Sequence, residues 1–177
     1  MEALADLSRA YFLHRICVSD IQPCLDWAAD RLAGNQDDGD VDIAVLAMAK
    51  DADEAVPLIE GILARHGMQP STNEQWLAGK HIVQLRAAYL RGEETIESLD
   101  RNLTIINNVV GHPAWLAMLS RNCEYATDIP DFRPPFEQEF AYIAALWASA
   151  SAREDFDAAY RREISNTHDI DYHQRIR

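Results

Sequence analysis

Residues 96–111 read IESLDRNLTIINNVVG, and this stretch determines the fold class. Its apolar side chains recur at spacings of three, four, three and four residues, which is the period of an α-helix with one buried face. The stretch ends at Gly111, the residue type that most readily takes the left-handed conformation found after helices. We therefore predict an amphipathic helix whose buried stripe is formed by Ile96, Leu99, Leu103, Ile106 and Val110.

The same period recurs through the first half of the chain, where it predicts four more helices. Ser19 or Asp20 is expected to cap the second of them, and Pro23 fits its first turn, where no amide hydrogen is needed. We expect Gly34 to end that helix in a left-handed conformation and Gly67 to end the fourth helix. The apolar positions of the four helices lie at 4–11, 21–32, 43–47 and 56–63.

The second half repeats these signals. Residues 71–74 (STNE) and 151–154 (SARE) have the form of a capping box, in which a hydroxyl and a carboxylate satisfy the free amides of a helix start. The first box is expected to begin a long helix that ends near Gly92, and Pro113 is expected to begin another. Residues 126–135 contain three prolines and are predicted to form an extended connection. Helices are expected to follow it with apolar positions at 136–147 and 156–164.

Length and pattern together predict an all-α fold. The 177 residues fit one domain, and 48% of them are hydrophobic, which is enough for a substantial core. Convincing strand alternation is nearly absent. We predict a single-domain, multi-helix bundle or array of about eight to nine helices over residues 1–166, followed by a polar C-terminal tail at 167–177.

Charge is the main functional signal. The chain has 16 Lys and Arg against 29 Asp and Glu, a net charge of −13, which argues against binding to nucleic acid. The segment 20–60 alone accounts for −9 of this charge. Such acids serve either as an ordinary solvated face with helix caps or as a surface that attracts a basic partner. The candidate partner-binding residues, all within 18 residues, are Asp37, Asp38, Asp40, Asp42, Asp51, Asp53 and Glu54.

Other classes of function find little support in the sequence. Neither the three cysteines nor the six histidines have the spacing of metal ligands, and the acidic turn near Gly39 fails the register of a calcium loop. Phosphate-binding and nucleophile motifs are missing. The first residues lack a basic region followed by an apolar core, so we expect no signal peptide, and no apolar run is long enough to span a membrane. We expect a cytoplasmic protein with reduced cysteines that needs no metal and no cofactor and does not bind membranes.

Three short segments resemble a family of small bacterial helical proteins. They are residues 26–32 (DWAADRL), 43–47 (IAVLA), which follows an acidic turn, and 89–93 (YLRGE). Proteins of this kind resemble the immunity proteins of polymorphic or contact-dependent toxin systems. The resemblance implies a cytoplasmic protein that binds and blocks a cognate toxin, often a basic nuclease, and it identifies no catalytic residue.

The sequence therefore predicts a non-enzymatic binding protein of immunity or inhibitor type. Its acidic surface would dock over the active site of a basic toxin. Two alternatives remain open: a helical enzyme whose site is built from scattered carboxylates and histidines, and a helical adaptor or assembly subunit. An enzyme needs polar groups that converge in a pocket, an inhibitor of this type needs an exposed acidic patch, and an adaptor needs an exposed apolar patch.

Overall fold

A computed structural model of the chain describes residues 2–68 and 70–162. The described residues contain no strand, so the predicted all-α, multi-helix fold is confirmed. Besides a 3-10 turn at Pro130–Phe132, these residues form eight α-helices and a ninth helical segment, α9, at 153–162. The eight are α1 (Glu2–Arg15), α2 (Gln22–Ala33), α3 (Val41–Leu46), α4 (Ala52–Arg65), α5 (Pro70–Leu90), α6 (Ile96–Val109), α7 (Ala114–Asp128) and α8 (Arg133–Ser149).

The chain divides into two compact units. Unit 1 contains the residues up to Leu77 and the segment Ile105–His112, and unit 2 contains Ala78–Thr104 and the chain from Pro113 onward. The boundary therefore falls inside α5 and again inside α6. The single domain over 1–166 stays a prediction, and the predicted tail at 167–177 lies outside the described residues.

Unit 1 is built on α1, α2, α3 and α4. Helix α3 has only six residues, too few to be stable in water alone, and it packs between α2 and α4. It contributes Ile43 and Leu46 to the core. The other fully buried side chains of this core include Leu7, Cys24, Ala28, Ala55, Ile59 and Ile62.

Unit 2 contains an aromatic cluster. The indole of Trp147 stacks on Phe156 with the ring centroids 3.8 Å apart, and Trp115 meets both rings edge-on. Lys80 donates from Nζ to the carbonyl oxygens of Trp147 and Ala150, at 2.8 and 2.9 Å. These bonds hold the C-terminal end of α8 against α5.

The stripe predicted on α6 is confirmed. The five apolar side chains at its 3-4-3-4 spacing are all buried, and those of Leu99, Leu103 and Ile106 are almost completely excluded from solvent. Gly111 has the left-handed φ of 77° expected after this helix, and Gly67 has a φ of 70° after α4.

The end of α2 differs from the prediction. Gly34 has a φ of −85°, and the left-handed residue is Asn35, with a φ of 51°. The amide of Gln36 donates to the carbonyl of Arg31 at 2.8 Å, which completes a Schellman-type ending around Asn35. Asparagine adopts the left-handed conformation more readily than most residues, so Asn35 can end the helix in place of Gly34.

The prediction of an extended connection at 126–135 was wrong. Helix α7 continues to Asp128, a 3-10 turn follows at Pro130–Phe132, and α8 begins at Arg133. Pro134 and Pro135 therefore lie in the first turn of α8. The amides of a first turn have no partner within the helix, so prolines there break no hydrogen bond.

The predicted helix starts need three corrections. Helix α5 begins at Pro70, and the Glu74 carboxylate accepts a hydrogen bond from Arg15 on α1 instead of completing a capping box. In the predicted capping box at 151–154, the side chain that caps the helix start is Asp155. Its carboxylate accepts hydrogen bonds from the backbone amides of residues 151 and 152, both at 3.0 Å. At α2, Asp20 accepts from the amide of Gln22 at 3.0 Å, while Ile21 is the residue directly before the helix.

Candidate functional site: an acidic surface around α3

The first acidic segment, residues 37–42, leads into α3 through a tight turn. Asp38 and Gly39 have left-handed φ values of 50° and 74°, which turn the chain toward α3. Asp40 then caps the helix, because its Oδ1 accepts from the amide of Asp42 at 2.9 Å. One carboxylate of this segment is therefore part of the local fold.

Arg65, at the end of α4, binds this segment. Its guanidinium donates to both carboxylate oxygens of Asp40, at 2.9 and 2.8 Å, and forms an ion pair with Asp42 at 2.6 Å. Burial raises the pKa of Asp40, but the hydrogen bonds from Arg65 and from the Asp42 amide outweigh it and hold the pKa below its ordinary value. Arg65 thus neutralises part of the charge of the first acidic segment.

The second acidic segment, residues 51–54, forms the start of α4. Asp51 accepts from the amide of Glu54 at 3.0 Å, and Glu54 accepts from the amide of Lys50 at 3.1 Å. This reciprocal arrangement satisfies two amides that have no partner in the helix. Asp51 and Glu54 therefore have structural roles, although both side chains are exposed.

Three of the seven predicted site residues have no such role. Within the described part of the chain, no hydrogen bond or ion pair engages the side chains of Asp37, Asp38 or Asp53. Asp38 and Asp53 are exposed, and Asp37 is half-buried. Asp53 lies in the first turn of α4, where its charge favours the helix dipole, but none of the three carboxylates forms a specific bond in the fold. They are therefore the strongest candidates for contact with a partner.

A polar cleft of about 480 Å³ adjoins the first segment. Asp37 and Asp38 line it, together with Trp27, Arg31, Arg65 and His66. The Arg31 guanidinium lies over the Trp27 ring, 5.4 Å from its centroid, and donates from Nε to the carbonyl of Gln36 at 3.0 Å. Arg31 keeps its positive charge, since its partners are a carbonyl oxygen and a ring, whereas Arg65 is paired with Asp40 and Asp42. The three carboxylates of the lining outnumber its two guanidiniums, so the balance of charge slightly favours a cationic ligand.

A second concavity lies between α3 and α4 and is apolar. It has a volume of about 530 Å³ and is lined by Val45, Met48, Ala49, Glu54, Pro57 and Leu58. The Met48 residue is 80% exposed, Val45 is 47% exposed, and Val41, one helical turn before Val45, is 71% exposed. Helix α3 therefore carries apolar side chains on its outer face as well as its inner one.

The sequence reasoning missed this apolar groove, although a signal for it was present. Val41, Val45 and Met48 follow one another at spacings of four and three residues, so they share a helical face. That face is distinct from the one that Ile43 and Leu46 turn to the core. A six-residue helix with apolar side chains on both faces has more apolar surface than its own core contacts require.

The remaining candidate groups have ordinary surroundings. Burial raises the pKa of the Cys24 and Cys123 thiols to about 12, whereas Cys17 is exposed, and all three cysteines are free. In the part of the chain that the structure describes, no three His, Cys, Asp or Glu side chains are grouped closely enough to hold a metal ion. None of the described helices combines the length and the apolar character needed to cross a bilayer.

Comparison with known proteins found no family model, no curated protein and no solved structure that matches this chain. The function must therefore be inferred from the residues themselves. In unit 1 these place an acidic surface, a polar cleft and an apolar groove within one segment, residues 27–66, together with Leu4.

Proposed function

We propose that this chain is a non-enzymatic, cytoplasmic binding protein of inhibitor type that docks an acidic surface onto a basic surface of a partner protein. The acidic surface consists of the seven residues predicted from the sequence. They form two groups at opposite ends of α4, because Asp40 and Asp42 bind Arg65 at its last residue and residues 51–54 form its start. The observation that supports the proposal is the imbalance of charge at this surface. Among the described residues, its seven carboxylates form ion pairs with one cation, Arg65.

Two groups of carboxylates whose ion pairs, among the described residues, are made by Arg65 alone are unfavourable for the isolated protein. Like charges repel one another, and the caps at α3 and α4 use only Asp40, Asp51 and Glu54. A basic partner would remove the repulsion and would be steered toward the surface over roughly the 8–10 Å reach of charge in ordinary salt. Asp37, Asp38 and Asp53 would then supply the direct contacts.

The proposed mechanism is occlusion. A partner that acts on an anionic substrate, such as a nuclease toxin, needs a basic substrate cleft. A rigid acidic surface that covers this cleft keeps the nucleic acid out without any chemical step. This agrees with the resemblance of three sequence segments to bacterial immunity proteins, for which the cognate toxin is the expected partner.

The test compares two variants that remove the same charge. Asp37→Asn/Asp38→Asn/Asp53→Asn changes the acidic surface, and the control Glu124→Gln/Asp131→Asn/Glu154→Gln changes exposed acids of unit 2. The association rate with the product of a neighbouring toxin-like gene is measured by stopped flow at low and high salt. The first variant should associate about tenfold more slowly at low salt and show a flatter salt dependence, while the control should stay near wild type. Equal rates for the two variants would refute a specific role for the acidic surface.

A further inference from the structure

The apolar groove between α3 and α4 adjoins the densest group of exposed apolar residues in the described part of the chain. In the described part of the chain, seven large apolar side chains are exposed, and three of these lie within residues 41–48. Single exposed apolar side chains are normal on protein surfaces, but clusters beside a concavity are typical of binding sites. The groove offers Met48, Val45 and Leu58 around a volume of about 530 Å³, enough for a large apolar side chain.

The rim of the groove is acidic. Glu54 is one of its lining residues, Asp53 precedes it in the first turn of α4, and the exposed Lys50 follows the lining residue Ala49. An apolar centre with a charged edge is the usual construction of a protein interface. Here the two carboxylates of Asp53 and Glu54 outnumber the one ammonium of Lys50, so the edge is net negative.

We infer that this groove receives an apolar side chain, such as Leu, Met or Phe, from a Lys- or Arg-rich segment of the partner protein. The flanking cations would lie beside Asp53 and Glu54. A second copy of this chain is a poorer occupant, because it would bring the same carboxylates together in a protein of net charge −13. The inference rests on the proposed function and deepens it, since it adds an anchor to the electrostatic docking.

The two parts of the surface would control different steps of binding. Exposed carboxylates act at long range and raise the association rate, whereas a buried apolar contact lowers the dissociation rate. Methionine suits the second role, since its flexible thioether adapts to different apolar side chains. Met48 is therefore the residue of the groove that is best placed to report on binding.

The test uses two synthetic peptides of the same length and the same positive charge. One is an amphipathic Leu/Lys helix, and the other has serine in place of every leucine. The full-length protein carries ¹³C-labelled methionine methyl groups, and NMR follows the signals of Met48 in the groove and of Met118 on α7, which is 48% exposed. The Leu/Lys peptide should shift the Met48 signal and leave the Met118 signal in place.

Two matched variants give the energetic test. Met48→Ser should weaken binding of the Leu/Lys peptide by about tenfold, the loss expected when one buried apolar side chain is removed, while Met118→Ser should leave the affinity unchanged. Both side chains are solvent-exposed, so neither substitution should affect folding. Equal affinity of the two peptides, or equal effects of the two variants, would overturn the inference.

The same experiment separates the groove from the acidic surface. If both peptides bind equally and both weaken with Asp37→Asn/Asp38→Asn/Asp53→Asn, the groove inference fails and the acidic docking stands. If the Leu/Lys peptide shifts the Met48 signal but its affinity depends neither on salt nor on this triple variant, the groove holds an apolar side chain, but the Lys- or Arg-rich segment and the acidic docking are both overturned. A Met48 signal that moves with protein concentration alone, with matching sedimentation, would assign the groove to a second copy and overturn the basic partner.

Discussion

Replacement of Gly79 by alanine should destabilise unit 2, although alanine is normally the better helix residue. Gly79 lies inside α5, beneath the indole of Trp147. A Cβ atom at position 79 would lie 2.1 Å from Trp147 Cδ2 and 2.4 Å from both Cε2 and Cε3. Carbon atoms that are not bonded normally approach to about 3.5–4.0 Å, so the indole must move by more than about 1 Å.

The indole has little freedom to move. It is fully buried and stacked on Phe156 at 3.8 Å, and Trp115 contacts its edge with centroids 5.2 Å apart. Overpacking of this kind costs about 1–3 kcal/mol, and a lost aromatic pair adds about 0.5–1.5 kcal/mol. The higher helix propensity of alanine offsets about 1 kcal/mol of this loss. We expect a net loss of about 0.5–3.5 kcal/mol in the free energy of unfolding.

The matched control is Gly61→Ala in the interior of α4. The nearest atom to its new Cβ is Nη1 of Arg65 at 3.6 Å, an ordinary contact, so this variant should gain up to about 1 kcal/mol. Urea denaturation would be followed by far-UV circular dichroism and by tryptophan fluorescence. Equal stability of the two variants would show that Trp147 gives way at no cost and would refute the packing argument.

Two further predictions concern the carboxylates. Asp40→Ala removes the cap of α3 and should lower the free energy of unfolding by about 1 kcal/mol, whereas Asp53→Ala, which removes no hydrogen bond, should change it by less than about 0.5 kcal/mol in urea denaturation. A loss of the same size in both would contradict a structural role for Asp40. Burial raises the pKa of Glu139 more than its hydrogen bond from Asn122 lowers it, so the folded state binds the proton more tightly than the unfolded state. The resulting stability is complete below the ordinary pKa of glutamate and is lost as the pH rises through the folded-state value. In parallel denaturation curves, Glu139→Gln should therefore gain stability relative to wild type as the pH rises above that ordinary value. A difference between the two proteins that does not vary with pH would refute this assignment.

The sequence was informative where the determinants are local. The stripe on α6, from Ile96 to Val110, could be predicted because helical periodicity places these side chains on one face whatever the rest of the chain does. The prolines at 134 and 135 led to the wrong prediction of an extended connection, because proline suits both an extended segment and the first turn of a helix. Which conformation forms depends on whether the apolar side chains after these prolines pack into a core. The local sequence pattern does not contain that information.

The positions of the seven acidic residues were known from the sequence alone, but their roles were not. Asp40 and Asp42 meet Arg65, more than twenty residues away, while Asp37 and Asp38 line a cleft with Trp27. Periodicity determines which face of a helix a residue occupies, and composition determines the net charge. The tertiary structure alone decides which charges are neutralised and which apolar side chains stay uncovered, because both depend on distant segments that come together only when the chain folds.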